Sequence, residues 1–175
     1  MNLYVDLAKK TIEKYLSAGE VFNADFNADN APDEIKRKKA GCFVSIHKKS
    51  NDELRGCIGT IMPSYKNLAA EVVGNAISAC RDPRFEPIAK EELDNLDISV
   101  DVLSEPEPIA SQNLLDPKKY GVIVKAKDGR TGLLLPDLEG IDDVMYQVAI
   151  ARQKAGIASD EPIFLYRFTV DRYTM

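Results

Sequence analysis

The chain has 175 residues, enough to bury one sizeable core, and its 45% hydrophobic and 29% charged residues are typical of a folded globular domain. Its net charge of −5 argues against a nucleic-acid-binding protein, because phosphate binding usually needs a basic surface. The single dense basic run, at 36–39, is interpreted as a solvated face, with a site for a phosphate or an acidic partner as the alternative.

The cysteines and the apolar runs bear on where the protein works. Cys42, Cys57 and Cys80 form no Cys-x-x-Cys pair, which favours a reducing compartment over a disulfide scaffold. The first residues lack the apolar core of a signal peptide. The most apolar run, 68–80, is too short and too polar to span a bilayer. We therefore predict a cytoplasmic protein with no membrane partner.

The first half of the chain predicts a helix, a connection and a hairpin. Apolar residues from Leu3 to Leu16 recur at helical spacing, and Gly19 follows as a stop signal. Residues 20–40 are interpreted as a surface connection, with one turn of helix near 31–38. Two alternating runs, 41–49 and 53–61, flank a short polar gap and predict a β-hairpin.

Pairing the apolar faces of this hairpin fixes which side chains share its other face. In the first strand Cys42, Val44 and Ile46 point one way, while Phe43, Ser45 and His47 point the other way. Cys57 is then expected on the same face as Arg55, with Ser45 or His47 near it on the neighbouring strand.

The second half supplies two further helices and more strands. A strong amphipathic pattern predicts a helix over 63–81 that Ser64 can cap, that Asp82-Pro83 ends, and that buries Cys80 in the core. A short helix is expected near 89–96 and a strand over 97–103. Strands on either side of Asp128-Gly129 form a tight hairpin in which both turn residues need positive φ. A last helix ends at Gly156, and a closing strand follows.

These elements predict an α+β fold in one domain over residues 1–175. It has five or six strands in a mostly antiparallel sheet with hairpins, and three main helices. The loop at 104–113 is expected to separate two lobes.

The stretch LRGCIGT, 54–60, is the main candidate for chemistry. Arg55 on the face of Cys57 would favour the thiolate, and Gly56 and Gly59 would let a ligand or another backbone approach closely. The alternative is a structural Cys57 that acts as a small hydrophobic residue. His47 could pair with Cys57 as a base, although an exposed strand histidine is the more ordinary interpretation.

The segment RDPRFEP, 81–87, allows two interpretations. Asp82 and Arg84 could hold a turn as an ion pair, or Arg84 could present its guanidinium to a carboxylate or phosphate. The cysteines and the histidine lack the spacing of zinc ligands, and the sequence has no phosphate-loop or dinucleotide motif. We predict no metal site and no cofactor.

Several stretches resemble, in order, the AMMECR-type domain family, whose bacterial and archaeal members are called component A of the AmmeMemoRadiSam system. They include FVSI, LRGCIG, DPRF, YGVIV, GLLLP and KAG, and the match runs from about Gly41 to about Phe168. The resemblance implies an α+β fold with a larger and a smaller lobe and a cleft between them. It also implies two partners, a Memo-like protein and a radical-SAM enzyme, but no known reaction. The family motif falls on residues 55–59, then Asn75, then residues 82–85.

Three functional hypotheses follow. The first is an accessory component that binds a small molecule, a modified group or a partner segment in a cleft lined by the LRGCIG strand and the turn at 82–85. Its binding residues would be Arg55, Gly56, Gly59, Asn75, Asp82 and Arg84, with Cys57 as the contact thiol. The second is an enzyme with Cys57 as nucleophile and Arg55 or Arg84 stabilising negative charge. The third is a nucleic-acid-linked regulatory role, which the acidic charge disfavours.

Overall fold

The computed structural model describes residues 2–18 and 33–174, so the predicted stop at Gly19 and most of the connection after it lie outside the described residues. Its helices are α1 (Leu3–Ala18), α2 (Asp33–Arg37), α3 (Leu68–Cys80) and α4 (Val144–Lys154), with 3-10 turns at Lys90–Asn95 and Gln112–Leu114. Its strands are β1 (Cys42–Lys48), β2 (Leu54–Thr60), β3 (Leu96–Leu103), β4 (Glu107–Ile109), β5 (Gly121–Ala126), β6 (Thr131–Leu134), β7 (Ile163–Phe168) and β8 (Val170–Tyr173).

The strands form two four-stranded sheets, in the orders β2-β1-β3-β8 and β4-β7-β5-β6. The chain divides into two compact units. The larger contains residues up to Val102 and the segment from Asp171 onward, and the smaller is Leu103–Val170. The predicted α+β class with antiparallel hairpins and three main helices is confirmed. The unit boundary lies one residue ahead of the predicted separating loop.

In the larger unit, one face of the first sheet is covered by α3, which also packs against α1. Cys42, Val44 and Ile46 are fully buried there, as their alternation with the other face predicts. Most of α3 is buried, and Cys80 near its end belongs to the same core. Because Cys42, Val44 and Ile46 all point towards this core, the opposite face of β1 carries the half-buried residues Phe43, Ser45 and His47.

In the smaller unit, α4 packs on β5 and β6 of the second sheet. Val122, Val124 and Leu134 meet Val148 and Ala151 in a separate core. The hairpin between β5 and β6 is where predicted, but of the two turn residues only Gly129 has positive φ, at 93°. The Ala126 N–H donates to the Arg130 carbonyl across a three-residue loop, which needs one left-handed residue instead of two.

Two further expectations are corrected. The described residues contain eight strands, because the run EPEPI forms β4 and the predicted closing strand is divided into β7 and β8, which belong to different sheets. Pro108 is tolerated in β4 because this is an edge strand, where a missing N–H costs little. Asn67, and not Ser64, caps α3, since the Asn67 side chain accepts a hydrogen bond from the Ala70 N–H at 2.9 Å. None of the described helices has the length and apolarity that a bilayer crossing requires.

Candidate functional site around Cys57

Cys57 lies in the middle of β2, directly opposite Ser45 of β1. The Ser45 hydroxyl donates a hydrogen bond to Cys57 Sγ, with an O–S distance of 3.2 Å. The thiol is neither buried nor fully exposed. This confirms the predicted register parity and gives the sulfur a polar neighbour on the face of the sheet opposite α3.

The backbone of Cys57 is held from the other side by the turn that follows α3. Its N–H donates to Asp82 Oδ2 at 2.9 Å, and its carbonyl accepts from Arg84 Nη2 at 3.2 Å. Because β2 is an edge strand, these groups would otherwise have no strand to pair with. The Asp82–Arg84 turn therefore takes the place of a neighbouring strand at Cys57.

Asp82 is the centre of this turn. Its carboxylate is almost fully buried and accepts hydrogen bonds from the backbone N–H of Arg84, from Arg84 Nε and, at 2.7 Å, from Arg84 Nη2. The Arg84 guanidinium, together with the backbone N–H groups of Cys57 and Arg84, holds the pKa of Asp82 well below its usual range. The structure thus contains the predicted ion pair of the turn.

Arg55 does not lie beside the thiol, and this corrects the sequence-based expectation. The register of β1 and β2 shifts between Ile46 and His47, which leaves Arg55 without a partner residue in β1. Its guanidinium donates to both oxygens of Glu92, at 2.8 and 2.9 Å, and to the carbonyls of residues 86 and 87. A bulge of this kind is invisible in the alternation of the sequence.

We expect Arg55→Lys to destabilise the protein. The Arg55 side chain is 11% exposed and forms a two-pronged pair with Glu92, whose pKa is lowered chiefly by that contact. A lysine can supply a single point of contact but cannot replace four directed hydrogen bonds. Urea unfolding should show a loss of roughly 1–3 kcal/mol. The conservative substitution Lys48→Arg, at an exposed ion pair with Glu53, should leave the unfolding midpoint unchanged.

The space beside each of the two glycines of LRGCIGT is filled by other atoms of the protein. A Cβ added to Gly56 would overlap the Ala79 carbonyl oxygen of α3, so the missing side chain allows the strand to approach the helix. A Cβ added to Gly59 would overlap the Phe43 ring and come within 2.6 Å of the Cys42 carbonyl oxygen. The structure therefore contradicts the interpretation in which these glycines open space for a ligand, and for Gly56 it supports the alternative of close backbone approach.

Asn75 is buried, and its amide nitrogen is used inside the core. It lies 3.0 Å from the Cys42 carbonyl oxygen and 3.2 Å from Thr60 Oγ1, and so donates across β1 and β2. Thr60 in turn donates to Glu71, a fully buried carboxylate that also accepts the N–H groups of Ser64 and Tyr65 at 2.9 Å. These contacts give Asn75 a structural position within the larger unit.

The other two thiols have different surroundings. Burial raises the pKa of Cys42 to about 12, and burial likewise raises the pKa of Cys80 to about 12. His47 lies opposite Leu54 and Asp97, and the thiol of Cys57 is bonded by Ser45 instead. No group of three or more metal-ligating side chains occurs in the described ranges.

One of the three thiols should therefore react with reagents in the native protein. At pH 8 a thiol of pKa about 12 is thiolate in about one molecule in ten thousand, so Cys42 and Cys80 should react slowly. We expect one equivalent to react quickly with a neutral disulfide reagent, and three in denaturant. Cys57→Ser should remove the fast reaction and Cys80→Ala should keep it; a fast reaction that survives Cys57→Ser would contradict the assignment.

Two polar features of β3 and β8 were not identified from the sequence. Ser99 lies directly opposite Ser45, so a thiol and two hydroxyls run in a row across β2, β1 and β3. Next to this row Asp101 is nearly buried and accepts two hydrogen bonds from Arg172, at 2.8 and 3.0 Å. The signal was present in the alternating run DISVDVL, whose polar positions face away from the core.

Comparison with known proteins agrees with this fold. The model of the AMMECR1 family matches residues 5–173. A protein from Thermotoga maritima is 49% identical over 97% of this chain and 96% of its own length. A longer protein from Clostridium acetobutylicum is 47% identical over 97% of this chain, which covers 35% of that protein.

A solved structure is also similar. The crystal structure of an uncharacterised protein from Pyrococcus horikoshii aligns with a TM-score of 0.83 and 33% identity, over 97% of this chain and 88% of that one. The resemblance noted in the motifs thus extends over nearly the whole sequence. The chain belongs to the AMMECR1 family.

Proposed function

We propose that this protein is an accessory component that binds a small molecule, a modified group or a partner segment at the surface around Cys57. The single observation that carries the proposal is the contrast between the three thiols. Cys42 and Cys80 are sealed in the core, whereas Cys57 is partly exposed and is held from both sides. A thiol with its hydroxyl neighbour and its backbone both fixed is preorganised to meet a ligand.

The surrounding contacts support this proposal. Ser45 places a hydroxyl against the sulfur, and Asp82 and Arg84 fix the backbone of Cys57 from the edge of the sheet. Ser99 extends the polar row on the same face, where a ligand would find hydrogen-bonding groups instead of packed aliphatic side chains. Gly56 and Asn75 contribute by fixing the position of β2.

Ligand trapping tests this proposal directly. Native protein and Cys57→Ser protein would be incubated with a cell extract, repurified under native conditions and analysed by mass spectrometry. We expect a molecule or peptide that is retained by the native protein and depleted at least tenfold in the Cys57→Ser protein. The Cys80→Ala protein should retain it, because that thiol is buried in the core. Equal retention by native and Cys57→Ser protein would contradict the proposal.

The partners of this component are proposed from the motif resemblance. They are a Memo-like protein and a radical-SAM enzyme, acting in one metabolic or modification pathway in the cytoplasm. Co-purification from cells tests this part: the tagged protein should enrich both partners above a tagged control protein. Failure to enrich either partner would remove the pathway assignment and would leave the binding site to be judged by trapping.

A second candidate function is an enzyme in which Cys57 is the nucleophile. The hydrogen bond from Ser45 favours this candidate, since it holds the partly exposed sulfur in one orientation, as a nucleophile requires. Complementation separates the two functions when ligand trapping has already succeeded. If Cys57→Ser protein is folded and fully restores the phenotype of a deletion strain, nucleophilic catalysis by Cys57 is ruled out.

A further inference from the structure

We propose that the site around Cys57 selects an anionic ligand, such as a carboxylate or a phosphate, and that Arg84 is the residue that selects it. This inference rests on the proposed function, because it concerns the ligand of the same site. It adds the chemical class of the ligand and names the residue that distinguishes a charged ligand from a neutral one.

The Arg84 guanidinium is held in one orientation by hydrogen bonds from two of its three nitrogens. Nε donates to Asp82 at 3.0 Å, and Nη2 donates both to Asp82 and to the carbonyl of Cys57. These bonds fix the plane and the direction of the group. The third nitrogen, Nη1, makes no hydrogen bond to any residue in 2–18 or 33–174. The side chain is 57% exposed, so this nitrogen can be reached from solvent. Two N–H donors of an oriented guanidinium are therefore available beside the backbone of Cys57.

The ion pair with Asp82 does not prevent Nη1 of Arg84 from binding an anion. The Asp82 carboxylate is 1% exposed, and its hydrogen bonds go to Cys57 and to Arg84 itself. An anion arriving from solvent would meet Nη1 first and the carboxylate only behind it. A guanidinium whose orientation is already fixed loses little conformational entropy when it binds a carboxylate or a phosphate.

The negative charge of the whole chain makes a preference for anions at Cys57 easy to detect. The chain carries a net charge of −5, so a uniform surface of this composition would repel anions. A preference for an anionic reagent at Cys57 must therefore come from nearby cations. Arg84 Nη2 donates to the Cys57 carbonyl at 3.2 Å, whereas the exposed Arg81 makes no side-chain hydrogen bond to β2 in the part of the chain that the structure describes.

Paired alkylating reagents test the proposal without a known ligand. Iodoacetate is anionic and iodoacetamide is neutral; with each, the Cys57 sulfur forms a bond to carbon and iodide leaves. Because the same thiolate attacks both reagents, the ratio of the two rates cancels any change in how much thiolate is present. The ratio therefore measures attraction of the negative charge to the site.

We expect Arg84→Gln to lower the iodoacetate-to-iodoacetamide rate ratio by about 3- to 10-fold at low ionic strength, and added salt to reduce the difference. Arg81→Gln is the matched control, since it removes the same charge one residue before Asp82, and it should change the ratio by less than about 2-fold. Arg84→Lys keeps the charge, and it should retain most of the ratio even if Arg84→Gln proves unstable.

The outcomes are distinguishable. If the ratio is unchanged in Arg84→Gln, or falls equally in Arg81→Gln, the anion selectivity of Arg84 is overturned. Rapid alkylation by iodoacetamide would in that case leave an accessible Cys57 and the proposed function intact. If neither reagent modifies Cys57 in native protein, the proposed function itself is overturned together with this inference.

Discussion

Gly56→Ala is expected to destabilise the protein by about 3 kcal/mol or more, because the added methyl group has no space. It would overlap the Ala79 carbonyl oxygen and lie 3.2 Å from the carbon of the same group. Both atoms belong to the backbone of α3 and cannot move aside as a flexible side chain could. The helix would have to shift away from β2, and the buried contacts between them would loosen.

Urea unfolding followed by circular dichroism measures this effect. Gly140→Ala is a suitable control, since Gly140 has φ of 76° and open space around it. Its cost should be the conformational one alone, about 1 kcal/mol. If Gly56→Ala proved as mild as Gly140→Ala, the close approach of β2 to α3 would be wrong, and the glycine could again be interpreted as space for a ligand.

Asp82→Asn is expected to lower the free energy of unfolding by about 2–3 kcal/mol at pH 7. The carboxylate is buried and accepts four hydrogen bonds, three of which come from Arg84. Asparagine keeps the size of the side chain but loses the charge and one acceptor oxygen. Because Arg84 is largely exposed, its cation can be solvated after the change, which keeps the cost below that of a fully buried broken pair.

The effect of Asp82→Asn should depend on pH in one direction. The pKa of Asp82 is lower in the folded protein than its usual value of about 3.9 in the unfolded chain. Its stabilising contribution is therefore complete above about pH 4 and is lost as the pH falls towards the folded pKa. The difference between native and Asp82→Asn protein should be constant from about pH 5 to 8 and should shrink below about pH 4.

Asp128→Asn provides the matched control for this prediction. Asp128 and Arg130 repeat the Asp-x-Arg spacing, and Arg130 Nε lies 2.7 Å from Asp128 Oδ2, but this carboxylate is 56% exposed. An exposed ion pair of this kind contributes little to stability. A loss for Asp128→Asn as large as that for Asp82→Asn would contradict the role given to burial.

The candidate site shows where sequence reasoning is strong and where it stops. Alternation along β1 and β2 placed Ser45 and Cys57 on one face, and the structure joins them by a hydrogen bond. The same alternation wrongly placed Arg55 beside Cys57. A bulge removes Arg55 from the strand pairing, and its guanidinium donates to Glu92 instead. A one-residue irregularity leaves no trace in the hydrophobic pattern, because it depends on what packs at the end of the strand.

The sequence by itself determined the α+β class, the three main helices, the hairpins and the burial of Cys42 and Cys80, because local periodicity records which face of each element meets the core. Only the tertiary structure decided the structural roles of Gly56, which lets β2 approach α3, and of Arg55, which pairs with Glu92. Their neighbours Ala79 and Glu92 are distant in sequence. The same holds for the way Asp82 and Arg84 close the edge of β2 at Cys57. Residues that act through partners far along the chain carry no local pattern, so their roles emerge only when the chain is folded.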